Sequence, residues 1–317
     1  MSRSAGLVRN QMWVINYDLT YRCHPHGLNI LTRVDQRQIK ERAGLIGTSQ
    51  AVLGSDIRSL PTFIDLRAFL AWTKEKGDFL CLPDKINLQH EMTAVQMAAL
   101  RAKGPVLRFD AAIGAENTAS AMPVIGNLFG TPERVAAGLG LALDEVPAFG
   151  DFLAALTTRP KLLRTAPVQE IDAPIDMNMI PLQTPWPEDA GPLITWPVVI
   201  TRPYGTTLDS LAQYNLGVYR AQVIGADRLI LRWLAHRGGA AHARSWAQAG
   251  ASMPVAIALG ADPAMLLSAA RPLPENISEL MFSGVLRGAH ATCSRPQRTA
   301  FGARPCGNYD RRLGSPQ

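Results

Sequence analysis

Seven prolines between residues 157 and 192 divide this sequence into two segments with different patterns. Proline fixes its own φ and lacks an amide donor, so extended connections are expected in this stretch. Helical and strand-like patterns alternate before it, whereas β-branched and aromatic runs dominate from residue 193 onward. The pattern predicts an α/β or α+β protein, with an N-terminal α/β domain over residues 59–175 and a second domain over residues 176–288.

The expected N-terminal domain begins with two helices. The first starts near Asp65 and is closed by Gly77 after a basic last turn, and the second covers about residues 91–102. PVLRFD at 105–110 predicts a buried strand, and MPVIGNLFG predicts another strand followed by a turn. The pair Thr131–Pro132 predicts the start of a third helix, with threonine as N-cap and proline at the first helical position.

The expected second domain is rich in strands. LITWPVVITR, LGVYRAQVIG and RLILRWL are β-branched and aromatic runs separated by turn signals, and their short connections favour an antiparallel sheet or barrel. ARSWAQAG predicts a return to helix, MPVAIALG predicts a further strand, and Asp262 with Pro263 predicts the start of a short helix.

The positive charge is confined to the two ends of the chain. Of 32 basic and 26 acidic residues, the segments 1–58 and 287–317 hold 14 and 5, so the remaining middle has a net charge of −3. A nucleic-acid-binding protein needs a basic face on an ordered element. The charge distribution therefore argues against nucleic acid as a partner, and residues 1–58 are expected to form an irregular extension.

Four cysteines show no CxxC spacing, which favours reduced thiols in an intracellular compartment. The sequence has no run of about 18 apolar residues and no apolar leader at its N-terminus. The expected location is the cytoplasm.

Polar residues concentrate on the strands of the second domain. Asn215 and Arg220 flank LGVY, and Arg232, His236 and Arg237 lie around Trp233–Leu234, just before Gly238–Gly239. Arginine next to a glycine pair can bind phosphate, because the backbone approaches the ligand closely. Asn215 and Glu279 could supply hard oxygen ligands to a divalent cation. Spacing alone leaves the alternative open that these are arginines at strand edges beside an ordinary turn.

Several ordered blocks resemble the UbiD family of decarboxylases, over about residues 61–288. In the second domain they are TPWPEDAGPLITW, NLGVYRAQVIG, RWLAHRGGA, PVAIALGADPA and SELMFSGVLRG, and in the first DLRAFLAW, EMTAV and PVIGNLFGTPERVA. The resemblance is strongest to the ubiquinone-pathway branch, which acts on 4-hydroxy-3-polyprenylbenzoate. It implies that the second domain is a split β-barrel of the flavin-reductase-like type.

The resemblance also implies a cofactor and the residues that hold it. The cofactor is prenylated FMN, with a metal cation on its phosphate, usually the divalent Mn²⁺ and alternatively K⁺. By motif match Asn215 and Glu279 are the metal ligands. Arg220 is the implied catalytic residue, because a guanidinium can hold a carboxylate bidentately. The implied cofactor-binding residues are Val218, Tyr219, Arg220, Arg232, Trp233, Leu234, Arg237 and Gly238.

The implied partners follow from the same resemblance. They are an aromatic carboxylic acid as substrate, a flavin prenyltransferase as the source of the cofactor, and further copies of the chain in a homo-oligomer. A polyprenyl substrate would bring the protein to the periphery of a membrane.

The sequence departs from the family in several places. Pro185 stands where relatives commonly have cysteine, the acidic stretch that carries the family's catalytic acids is not matched, and neither is the C-terminal domain. Residues 289–317 form a basic tail without resemblance, which suggests a reading-frame shift near residues 288–293. The expectation is a C-terminally truncated decarboxylase; the alternative is an inactive remnant that binds only flavin phosphate and metal.

Overall fold

A computed structural model describes residues 62–114, 117, 119–146, 160–163, 166, 176–271, 273 and 277–287, and the backbone of two short strands at 13–19 and 292–294. The elements form three structural parts: a small α/β unit, two sheets that share a core, and helices packed against those sheets. This mixed α/β architecture agrees with the predicted fold class.

The first unit is a three-stranded sheet with helices. Its strands are β2 (Phe79–Asn87), β3 (Val106–Ile113) and β4 (Val124–Gly126), in the order β2-β3-β4. Strands β2 and β3 are parallel and are connected through α2 (Glu91–Arg101), whereas β4 runs antiparallel to β3. Phe69 on α1 (Leu66–Glu75) is fully buried, packing beside Phe63 and Ala137.

The helix boundaries of this unit confirm the predicted capping signals. The Asp65 carboxylate accepts a hydrogen bond from the Ala68 amide at 2.8 Å, and Gly77 has the positive φ of 71° that favours glycine after a helix end. Helix α3 (Pro132–Gly138) starts with Thr131 as N-cap and proline in its first turn. Strand β2 had no prediction, because Pro83 and its charged residues mask the pattern of an exposed edge strand.

Two antiparallel sheets are formed mainly by strands between residues 193 and 259. One has the order β1-β11-β7-β8, where β1 is Trp13–Leu19, β7 is Val198–Thr201, β8 is Asn215–Val218 and β11 is Met253–Leu259. The other has the order β10-β9-β6, where β6 is Leu193–Ile194, β9 is Ala221–Gly225 and β10 is Arg228–Leu231.

The chain passes between these sheets at β6–β7 and again at β8–β9, and the two predicted strand runs at these places are therefore split. LITWPVVITR becomes β6 and β7, and NLGVYRAQVIG becomes β8 and β9, with Tyr219 and Arg220 at the crossing. Val199, Tyr219 and Ile257 belong to one buried cluster that both sheets contribute to. The predicted antiparallel pairing is therefore present. Within the described residues it forms two separate sheets around a shared core.

Three helices cover the first of these sheets: α4 (Gly238–Gln248), α5 (Pro263–Ala270) and α6 (Glu279–Arg287). Helices α5 and α6 pack against β8, where Leu216, Leu266 and Leu280 share a buried cluster. Asp262 caps α5 as predicted, and its carboxylate also bonds to Arg287 at the end of α6. This pair ties the two helices together.

Two short strands lie near the chain ends, and the first of them falls in the extension that was predicted to be irregular. Trp13–Leu19 forms β1, antiparallel to β11, because its aromatic and β-branched residues complete the open edge of that strand. Residues 292–294 form β12, parallel to β5 (Lys161–Leu163). The rest of the predicted irregular extension 1–58 and of the tail 289–317 lies outside the described residues.

Candidate functional site

The site is built around β8, whose first residue is Asn215. Its side chain is buried, and its amide Nδ2 donates a hydrogen bond to the Tyr219 hydroxyl at 3.3 Å. The opposite end of the amide, Oδ1, lies against Gly238: a Cβ on that glycine would be 2.1 Å from the oxygen. The amide oxygen is therefore directed toward the start of α4.

Glu279 reaches the same strand from the start of α6. Its Oε2 accepts a hydrogen bond from the Leu216 amide at 3.0 Å, on the edge of β8 that has no neighbouring strand among the described residues. Burial raises the pKa of Glu279, while the Leu216 amide and the positive charge of Arg237 act in the opposite direction. Of the two predicted metal ligands, Asn215 is thus the first residue of β8, and Glu279 binds the backbone of the next residue, Leu216.

Gly238 and Gly239 form the first turn of α4 and are not a turn between strands. Arg237 is the N-cap, and the first turn contains no acidic residue. The positive end of the helix dipole at such an N-terminus attracts anions. Gly239 must be small, because a Cβ there would lie 2.2 Å from the Trp233 ring and 3.1 Å from the Tyr219 ring.

Tyr219 and Trp233 support this helix start from the core. Their rings meet edge to face with centroids 4.7 Å apart, and the Tyr219 hydroxyl accepts a hydrogen bond from the Gly239 amide at 3.1 Å. The same hydroxyl receives the Asn215 amide. Tyr219 therefore connects the predicted metal ligand to the helix N-terminus, with most of its ring in the core.

Arg220 and Val218 lie on a cleft at the other end of β8. The cleft has a volume of about 320 Å³ and is also lined by Pro185, Trp186, Leu193 and Thr195. Half of the Arg220 side chain is exposed, and its Nη2 forms an ion pair with Asp189. At about 3.3 Å per residue, β8 places this cleft roughly 10 Å from Asn215.

The remaining predicted residues lie between the Arg220 cleft and the start of α4. Arg232 is next to Arg220 through the backbone, because its amide donates to the Arg220 carbonyl at 3.3 Å. Leu234 and His236 are exposed on the segment that leads to Arg237, whose amide donates to the Leu234 carbonyl at 2.9 Å. Arg232 and Leu234 do not line the cleft beside Arg220.

Sequence reasoning missed four residues of this region: Trp186, Asp189, Thr195 and His242. Asp189 and Trp186 belong to the WPED block, which the resemblance had already singled out. Their position opposite Arg220 could have been inferred from that block. Thr195 and His242 carry no local signal, because their roles arise from contacts between distant elements.

His242 on α4 forms a partly buried polar pair with Thr201. Its Nδ1 lies 2.9 Å from Thr201 Oγ1, and Thr201 is the register partner of Asn215 across β7 and β8. Burial lowers the pKa of His242 to about 4. The imidazole is therefore neutral above that pH.

This pKa predicts a stability change in mild acid. The unfolded chain binds a proton near pH 6.5 and the folded chain only near pH 4, so His242 lowers the free energy of unfolding as pH falls through this window. Solvent screening of the partly exposed ring reduces the effect to about 1–2 kcal/mol. Urea unfolding at pH 7 and pH 5 should show this loss in the wild type and a smaller one in His242→Gln, with His236→Gln behaving as wild type. Equal pH dependence in all three proteins would contradict it.

No cluster of three or more His, Cys, Asp or Glu residues suited to a metal occurs in the described part of the chain. A cation here would rely on Asn215 and Glu279 together with oxygens from a bound ligand. In the same described ranges, no helix is long and apolar enough to cross a bilayer.

Two family models match this chain. Residues 70–153 match the 3-octaprenyl-4-hydroxybenzoate carboxy-lyase N-terminal domain of UbiD, and residues 161–300 match the Rift-related domain of the same carboxy-lyase. Together the two matches account for most of the sequence.

Solved structures show the same relationship. The chain is similar to the UbiD-class enzyme HmfF from Pelotomaculum thermopropionicum, which was solved as an evolved dimeric form in complex with prFMN. The two share 25% sequence identity and superpose with a TM-score of 0.65, over 74% of this chain and 53% of that one. Vanillic acid decarboxylase of Sedimentibacter hydroxybenzoicus shares the fold at 24% identity and a TM-score of 0.67, over 74% and 51%. The chain thus spans about half the length of the structures that it matches.

Proposed function

Because this chain belongs to the UbiD family, we propose that it supplies the N-terminal and cofactor-binding parts of a non-oxidative aromatic acid decarboxylase. The observation that carries the proposal is the convergence of Asn215, Glu279 and the α4 N-terminus on β8, beside the cleft that holds Arg220. The proposed substrate is 4-hydroxy-3-polyprenylbenzoate in ubiquinone biosynthesis, on the resemblance of the sequence blocks.

The residues present fit a flavin phosphate with a cation. The α4 N-terminus, with Arg237 as its N-cap, provides positive potential for a phosphate, and the tight approach of Gly238 to Asn215 leaves no room for a side chain there. Asn215 Oδ1 and the Glu279 carboxylate are hard oxygen donors of the kind that Mn²⁺ or K⁺ accepts. HmfF of P. thermopropionicum, whose fold this chain shares, binds prFMN in its structure.

The chain's own residues then perform binding and orientation. Prenylated FMN, when bound, supplies an acceptor for the electron pair that the departing carbon dioxide leaves behind. The Arg220 guanidinium binds the substrate carboxylate and orients it at the cleft, beside the apolar side chains of Leu193 and Val218. A carboxylic acid must then protonate the ring carbon, and Asp189, already ion-paired, is unsuited to that step.

The wider assembly is part of the same proposal. The boundaries 59–175 and 176–288 separate an α/β domain from a cofactor domain of the split-barrel type. A flavin prenyltransferase supplies the cofactor, the chain forms a homo-oligomer, and its polyprenyl substrate brings it to the membrane periphery. These partners follow from the family and are open to direct tests by copurification and sedimentation.

The test of the proposal separates cofactor binding from chemistry. The chain is purified from cells that also make prenylated FMN, and flavin absorbance and carbon dioxide release are measured. Asn215→Ala should lose bound flavin by about tenfold or more, because a cation ligand is removed. Arg220→Ala should retain more flavin than Asn215→Ala and release no carbon dioxide. Equal loss of flavin in both variants would contradict this division of roles.

A second candidate is a protein that binds flavin phosphate and metal without turnover. The observation that favours it is the ion pair of Asp189, since no free carboxylic acid lines the Arg220 cleft among the described residues. Bound flavin without carbon dioxide release in the wild type would support this candidate. Turnover by the wild type would exclude it.

A further inference from the structure

The carboxylate of Asp189 is held in place by its own turn. Its Oδ2 accepts the Trp186 amide at 3.0 Å, and its amide donates to the Trp186 carbonyl at 3.1 Å. Pro187 restricts the backbone between them. Only 7% of the Asp189 side chain is exposed. The carboxylate is therefore a buried, oriented acceptor before any ligand is bound.

The second oxygen of that carboxylate, Oδ1, binds Arg220 through a single nitrogen, Nη2. An arginine has five N–H donors in a planar fork, so one contact leaves most of them available. Half of the Arg220 side chain is exposed at the cleft. Asp189 thus holds one edge of the guanidinium and leaves the rest accessible to a ligand.

Arg220 has little else to define its orientation. It lies in the two-residue crossing between β8 and β9, and its backbone carbonyl accepts the Arg232 amide. Neither this position nor the backbone hydrogen bond restricts the Arg220 side chain. A free arginine side chain carries roughly 2 kcal/mol of rotamer entropy. Fixing the guanidinium before a ligand arrives removes part of that cost from binding.

We propose that Asp189 is a positioning residue for Arg220: its buried carboxylate fixes the guanidinium at the cleft, so that the remaining donors face an incoming carboxylate ligand. The inference rests on the proposed function in one respect, the role of Arg220 as the carboxylate-binding group. Trp186 shares the turn with Asp189, so the same carboxylate also places an indole on the wall of the cleft beside Arg220.

The test uses Asp189→Asn in the full chain. The amide of asparagine can still accept the Trp186 N–H, so the turn is kept while the ion pair with Arg220 is lost. Glu188→Gln, in the same turn and exposed, is the matched control for a lost charge. Two quantities are measured: the affinity for benzoate as a carboxylate probe, and the Nε–H NMR signal of Arg220, assigned by its absence from Arg220→Ala.

We expect Asp189→Asn to bind benzoate about fivefold more weakly than wild type, and its Arg220 Nε–H signal to broaden through faster exchange with solvent. Glu188→Gln should match wild type in both measurements, and Asp189→Glu should recover part of the loss. An unchanged Nε–H signal in Asp189→Asn would overturn the inference. So would benzoate binding by Asp189→Asn that is as tight as in wild type or tighter, if Arg220→Ala weakens benzoate binding.

The two proposals fail in different ways. If Arg220→Ala binds benzoate as well as wild type does, Arg220 is not the carboxylate-binding group, and the proposed function loses its carboxylate site. The Nε–H signal still decides whether Asp189 orients the guanidinium. A lower thermal stability of Asp189→Asn with an unchanged Nε–H signal would assign Asp189 to the turn alone.

Discussion

Arg134→Met is expected to lower the free energy of unfolding by about 3–5 kcal/mol, because it leaves buried hydrogen-bonding groups without a partner. Arg134 is only 2% exposed. Its Nη1 binds both oxygens of Asp78, at 2.8 and 3.0 Å, and its other nitrogens bind the carbonyls of Leu128, Gly104 and Asn127. Methionine has a similar length and none of these donors.

The matched control is Arg108→Met on β3 of the same unit. Arg108 pairs with Asp110 at 2.6 Å, but both side chains are more than a third exposed. Exposed pairs of this kind contribute about 0–1 kcal/mol. Urea unfolding followed by circular dichroism should therefore separate the two variants by at least about 2 kcal/mol, and equal midpoints would show that the Arg134 hydrogen bonds do not stabilise the fold.

Gly239→Ala is expected to lower stability by about 1–3 kcal/mol and to reduce flavin retention by about tenfold or more. The new Cβ would lie 2.2 Å from the Trp233 ring, and the ring cannot move away freely because it packs against the shared core. Displacing Trp233 and Tyr219 also disturbs the hydroxyl that binds both Asn215 and the Gly239 amide.

Gly114→Ala is the control for this substitution, since a Cβ there meets no atom within 4 Å. Melting temperature and the ratio of flavin to protein absorbance after purification would be compared for the two variants. A Gly239→Ala protein that retains flavin like the Gly114→Ala protein would show that the α4 N-terminus can shift without affecting the site.

Local signals in the sequence predicted much of the secondary structure. Thr131 with Pro132, Asp262 with Pro263, and Gly77 each lie at the predicted helix boundary, because a cap depends on three or four neighbouring residues. The strands around 198–201 and 253–259 were predicted for a similar reason, since alternation and β-branching are local properties. Helix α6 was not predicted, although its Ser278 accepts the Met281 amide as a cap does.

The candidate site was predicted in part. Asn215, Glu279 and the Gly238 segment were identified from residue type and from family blocks, and the structure places all three on or beside β8. The effect of Arg237 on Glu279 and the link through the Tyr219 hydroxyl were not predicted. Both need a distance between residues on different elements, which no local pattern contains.

The sequence by itself determined where α1, α2, α3 and α5 begin, where most of the strands lie, which family the blocks resemble and which residue types could bind an anion or a cation. Only the tertiary structure decided which partners those residues take. Asp189 is 31 positions from Arg220, and Asp78 is 56 positions from Arg134. A hydrogen bond requires its atoms to come within about 3 Å, and for such pairs that distance is set by the packing of the whole core.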